Sequence, residues 1–128
     1  MKFTGTHTTG RGRGNTLGFP TINLHDINSL IIEDGVYAAR VTIQNVQYNA
    51  ALFVGGSPTF REKEKSVELF LIGLSPEEIV KNRLDRVITT KISVETVSYI
   101  RPVIKFSSKD ELIRHIQQDV QQISTILS

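Results

Sequence analysis

Residues 35–54 read GVYAARVTIQNVQYNAALFV, and this stretch decides the fold. Val36 and Ala38, and less regularly Val41 and Ile43, mark an extended run rich in β-branched residues. Gln44-Asn45 offers a two-residue turn, and Val46–Val54 returns as a second strand, broken by Gly55-Gly56-Ser57-Pro58. Upstream, residues 25–35 form a polar-then-apolar connection that ends in the turn signal Asp34-Gly35. Residues 1–9 carry threonines and Phe3 and are expected to form a short first strand, with residues 10–20 as a loop. Downstream, the charge run REKEK at 61–65 reads as a solvated loop or hairpin tip. Ser66–Leu74 is a strongly apolar strand holding one carboxylate, Glu68.

The remainder adds helices. Ser75-Pro76-Glu77-Glu78 supplies an N-cap serine, a proline at the first helical position and a glutamate at the third, opening a short helix that runs to Leu84. Residues 87–100 are dense in β-branched residues and predict a long strand, ended by Arg101-Pro102. Ser108–Glu111 reads as a second capping box. Leu112, Ile116, Val120, Ile123 and Leu127 then recur at helical spacing, which predicts an amphipathic helix of four to five turns. Hairpin-linked strands without βαβ alternation favour a small antiparallel barrel with a helix packed on it.

Length and composition bound the function. The 128 residues fit one domain, and a hydrophobic fraction of 39% suffices for one core. The chain has no cysteine, so neither a disulfide framework nor a thiolate metal site is available; a cytoplasmic location is the expectation. No apolar run reaches transmembrane length and the N-terminus lacks a signal-peptide core, so no membrane partner is expected. The net charge is +2. His7, His25 and His115 are scattered without metal-ligand spacing and are expected at the surface.

The richest functional segment is GRGRGNTLGFPTIN, residues 10–23. Glycines let backbone N–H groups approach a polyanion, and arginines supply forked donors suited to phosphate. Thr21 and Asn23 fall on one face of an extended backbone, where a hydroxyl and an amide oxygen help complete a Mg²⁺ shell. The same run also reads as a mobile basic arm for nucleic acid, but the apolar Leu17, Phe19, Ile22 and Leu24 argue for an ordered phosphate loop. Neither the Walker pattern nor the dinucleotide glycine pattern is present. Glu68 has two readings: outward into solvent on a half-exposed strand, or into a pocket as a general base. The residues alone leave both open.

Taken together, these segments resemble the riboflavin kinase family, including the kinase module of bacterial bifunctional FAD synthetases. RGNTLGFPTINL at 13–24 looks like that family's glycine-rich loop and P-T-x-N signature. GVYA at 35–38, VGGSPTF at 54–60, SVEL at 66–69, IRPVIKFSSKDEL at 100–112 and IQQD at 116–119 follow in the family's order. The resemblance implies a six-stranded antiparallel, Greek-key-like barrel with a short inserted helix and a C-terminal amphipathic helix. It implies transfer of the ATP γ-phosphoryl group to the 5′-hydroxyl of riboflavin, giving FMN and ADP, with Mg²⁺ as cofactor. Gly10, Arg13, Gly14, Thr16, Gly18 and Thr21 would wrap the nucleotide, Thr21 and Asn23 would hold the metal, Glu68 would accept the hydroxyl proton, and Arg101 would contact the flavin. The chain would work fused to, or beside, an FMN adenylyltransferase domain.

One stretch departs from the family. After Glu68 the family shows a polar residue, a histidine and an aspartate-phenylalanine pair leading into a Leu-Tyr-Gly turn. Here the chain continues Leu69-Phe70-Leu71-Ile72-Gly73-Leu74, and residues 75–86 form a helical insertion expected to alter the flavin side. That departure motivates a second reading, a non-catalytic flavin-sensing module on the same fold. The basic pI and the Arg/Gly loop motivate a third, a small nucleic-acid-binding barrel, although the low aromatic fraction of 7% speaks against a stacking platform.

Overall fold

Gln44 and Asn45 both adopt positive φ, 48° and 69°. This is the handedness of a two-residue turn that matches the twist of its flanking strands. The turn joins β3 (Gly35–Ile43) to β4 (Val46–Gly56), paired without interruption from Ile43↔Val46 to Gly35↔Val54. The computed structural model describes residues 1–8, 21–25, 27, 32–56 and 65–128. Within them, β1 (Lys2–Thr8), β2 (Thr21–His25), β5 (Lys65–Ile72) and β6 (Ile92–Arg101) complete a closed barrel in the order β1-β2-β5-β4-β3-β6. All pairings are antiparallel, and β1 seals against β6 at Phe3↔Val94. Three consecutive strands, β3 to β5, with β6 returned beside β3, form the expected Greek key. Among the described residues there are two helices, α1 (Pro76–Lys81) and α2 (Lys109–Leu127).

Strand alternation divides the apolar residues into two cores. Phe3, Ile22, Leu24, Val41, Leu52, Val54, Val67, Leu69, Leu71, Ile92 and Val94 point into the barrel and fill it. The alternate residues Val36, Ala38, Ala51, Phe70 and Ile72 point outward and are covered by Ile116, Ile123 and Leu127 of α2. The barrel wall is thus buried on both sides beneath α2. The predicted helical spacing supplies those contacts, with Leu112 and Val120 packed at the margin.

Three expectations are corrected in detail. Residues 87–91 lie outside β6, because Ile88 turns in to join Leu84 in the inner core instead of pairing. The insertion at 75–86 packs toward the inner core near Tyr48, with Leu84 buried in that core and Ile79 resting against it. There the Tyr48 phenol is pushed above its usual pKa, first by burial and then by the Glu78 carboxylate of α1. His7 is not simply solvated: it is half-buried, its Nδ1 accepts from the Ile88 N–H at 2.9 Å, and burial lowers its pKa. The first capping box is complete, with Ser75 and Glu78 exchanging bonds at 3.1 Å. The second is half-formed: Ser108 Oγ accepts from the Glu111 N–H, but the Glu111 carboxylate accepts from Ser107 Oγ at 2.6 Å.

Candidate active site

A single row of residues crosses the outer face of the wall. Asn23 on β2 stands directly opposite Glu68 on β5. Glu68 stands opposite Phe53 on β4, Phe53 opposite Val36 on β3, and Val36 opposite Arg101 on β6. Directly opposed residues of an antiparallel pair share a face, with Cβ atoms about 5 Å apart. Thr21, two residues before Asn23, lies on that face too, opposite Phe70. Thr21, Asn23 and Glu68 are therefore brought together, and Arg101 closes the far end of the same row.

Glu68 is only 5% exposed, although it lies on the outside of the barrel. Its surroundings explain this. Phe53 flanks it on β4, and the Phe53 ring packs against Phe70, two residues along β5, with centroids 5.0 Å apart. Thr21 and Asn23 on its other side are half-buried. A carboxylate thus sits in a largely dehydrated setting with two neutral oxygen-bearing side chains alongside. Among the described residues, no group of three or more His, Cys, Asp or Glu could hold a metal by itself. The donors present are the hard oxygens that Mg²⁺ takes when phosphates complete its shell, so the residues fit that ion.

Arg101 is held inside the protein. Its Nε and Nη2 donate to the two oxygens of Asp119 on α2 at 2.9 and 2.7 Å, and Nη1 donates to the Pro102 carbonyl at 3.1 Å. The guanidinium carbon lies 5.9 Å from the Phe53 ring centroid and 5.8 Å from that of Phe106, within cation–π range of both. Phe106 in turn packs on His115 at 4.9 Å. Beyond Arg101, the ring of Tyr99 stands edge-on to Tyr37 and rests on the backbone of Gly35.

Sequence reasoning passed over Asp119, Phe53 and Phe106. Asp119 carried a usable signal: it lies three residues after Ile116 and four before Ile123, on the apolar stripe of its helix. The predicted nucleotide residues Gly10, Arg13, Gly14, Thr16 and Gly18 lie outside the described residues.

Fold and face together define a class: a small antiparallel barrel whose buried carboxylate and oxygen donors lie on the outer wall instead of in the interior. Residues 1–127 match the family described as "Flavokinase: Riboflavin kinase", and the chain belongs to this family. It is 34% identical over 117 residues to the bifunctional riboflavin kinase/FMN adenylyltransferase of Bacillus subtilis, covering 88% of this chain and 34% of that protein. It is 34% identical over 108 residues to the trifunctional protein RibF/MnmA of Mycoplasmoides gallisepticum, covering 84% of this chain and 15% of that protein. The chain thus spans about a third or less of the length of these relatives. Among solved structures, a protein from Streptococcus pneumoniae named as a macrolide-efflux protein shares the fold with a TM-score of 0.74. It is 28% identical, over 92% of this chain and 36% of that one. No described helix here is long and apolar enough to cross a membrane.

Proposed function

We propose that this chain transfers the γ-phosphoryl group of ATP to the 5′-hydroxyl of riboflavin, yielding FMN and ADP, and that residues 1–128 act as one kinase module. The observation that carries this reading is the direct opposition of Asn23 and Glu68, with Thr21 beside them on the same face. Phosphoryl transfer asks mainly for positioning and charge stabilisation. Glu68 accepts the proton as the ribityl oxygen forms its bond to phosphorus and the bridging oxygen leaves with ADP. Its burial suits it to hold that proton at close range without competing water. Thr21 and Asn23 would hold Mg²⁺, which when bound offsets the charge of the ATP phosphates. Gly10, Arg13, Gly14, Thr16 and Gly18 would cradle the nucleotide through backbone N–H groups and the arginine fork. Arg101 marks the flavin end of the row. In its cellular setting the module would act fused to or beside an FMN adenylyltransferase domain.

The deciding experiment incubates the chain with riboflavin, ATP and Mg²⁺ and separates products by chromatography. FMN formation that depends on all three supports the reading. Riboflavin bound without product would leave the flavin-sensing alternative, and absence of any flavin effect would remove both.

A further inference from the structure

Asp119 has no part in the phosphate chemistry, yet it is buried to 4% exposure on a helix face otherwise built of Ile116, Ile123 and Leu127. A buried carboxylate is costly to desolvate, and an apolar residue would pack the same helix at least as well. Its two oxygens hold the Arg101 fork, at side-chain exposures of 15% for Arg101 and 5% for Asp119. Arg101 reaches Phe53, and Phe53 is the residue directly across the ladder from Glu68. A line of contacts therefore runs from α2 through Arg101 and Phe53 to the strand position beside the base. An arginine at a strand end loses rotamer freedom when pinned over a ring. Two parallel charge-assisted bonds from a fixed carboxylate supply the restraint.

We infer that Asp119 is a positioning residue for the transfer reaction. By fixing Arg101 it holds the Phe53 ring against the wall on which the acceptor hydroxyl settles, and so keeps that hydroxyl in line with Glu68. This inference rests on the kinase reading above. Misplacement of a reacting group by a fraction of an ångström to one ångström is enough to slow a reaction without loosening the nucleotide.

The test measures FMN formation by the wild type, D119N, R101M and the double variant, well below the lowest melting temperature. D119N is expected to lower kcat on the order of tenfold, with the KM for ATP unchanged. In the R101M background the same change is expected to have no further effect, because Asp119 acts through Arg101. Wild-type kcat in D119N with only a lower Tm overturns the inference, since that is the mark of a purely structural pair. An undiminished effect of D119N in the R101M background overturns it as well. Arg101→Lys, which keeps the charge pair but not the fork, covers the case in which D119N does not fold. Its kcat falls by a similar factor, and wild-type turnover would overturn the inference. A wild type that forms no FMN removes the kinase reading and this inference with it, whereas an active wild type beside an equally active D119N removes this inference alone.

Discussion

Asn23 and Glu68 are directly opposed residues of the β2–β5 ladder, and both project from the outer surface of the barrel. This one pairing places an amide oxygen next to a buried carboxylate. Replacing Glu68 by Gln keeps the shape and removes the proposed base. Turnover should fall by about 10²- to 10⁴-fold, and thermal unfolding separates this loss from a loss of folded protein. Steady-state kinetics together with thermal unfolding check this. Near-wild-type kcat would remove Glu68 from the chemistry.

Asn23→Ala and Thr21→Val should act on a different quantity. Each removes one neutral oxygen donor and keeps the strand. The Mg²⁺ concentration for half-maximal activity should rise about tenfold, equal to ~1.4 kcal/mol of lost interaction. A titration of activity against Mg²⁺ at saturating ATP reads this directly. Glu68→Gln serves as the contrast, since its residual activity should keep the wild-type metal requirement.

His7 makes stability depend on pH. Burial depresses its pKa below the ordinary 6.5, so the folded ring stays neutral where the unfolded chain takes up a proton. The stability it contributes is complete above about 6.5 and is lost as pH falls from there through the lower folded value. Protonation also ends its acceptance of the Ile88 N–H. Urea unfolding should show a decline below neutrality that is shallower in His7→Gln, whose side-chain oxygen can accept the same bond. Equal slopes in the two proteins would contradict the assignment.

Gly35 and Gly73 form a matched pair for testing backbone strain. Both have positive φ, 155° and 75°. A Cβ on Gly35 would lie 2.6 Å from Cε1 of Tyr99 and 3.0 Å from the Arg101 carbonyl, whereas one on Gly73 meets nothing within 4 Å. Gly35→Ala should cost about 2–3 kcal/mol and Gly73→Ala about 1 kcal/mol. In Tm this corresponds to drops of roughly 8–12 °C and 4 °C. Equal losses would mean that the contact with Tyr99 and Arg101 yields without cost.

The fold was legible because its signals are local. The β3–β4 hairpin, the Ser75 cap and the α2 stripe each depend on residues within one or two turns of each other. The side that Glu68 occupies was not legible, and the reason is physical. Alternation reveals a strand's outer face only when that face meets water. On β5 both Val67, Leu69, Leu71 and Phe70, Ile72 are buried, because α2 covers the outside. The run Val67–Ile72 therefore shows no polar contrast from which to orient Glu68. The error over 87–91 has a similar origin: β-branched residues suit a strand, but Ile88 contributes more by filling the inner core, a long-range demand invisible in its own neighbours. The Arg101–Asp119 pair spans α2 and the end of β6, so its meaning emerges only after the helix has docked.

The division of β5 into inward Val67, Leu69, Leu71 and outward Glu68, Phe70, Ile72 has an evolutionary corollary. Substitutions on the outward set alter the proposed site while the inward set goes on holding the protein together, so the two properties are free to drift apart. Insertions and deletions have no such freedom. One extra residue ahead of Glu68 would invert the strand, driving a carboxylate into the sealed interior and turning three aliphatic side chains out beneath the helix. Lineages carrying this wall should vary in the letters of β5 and keep its length.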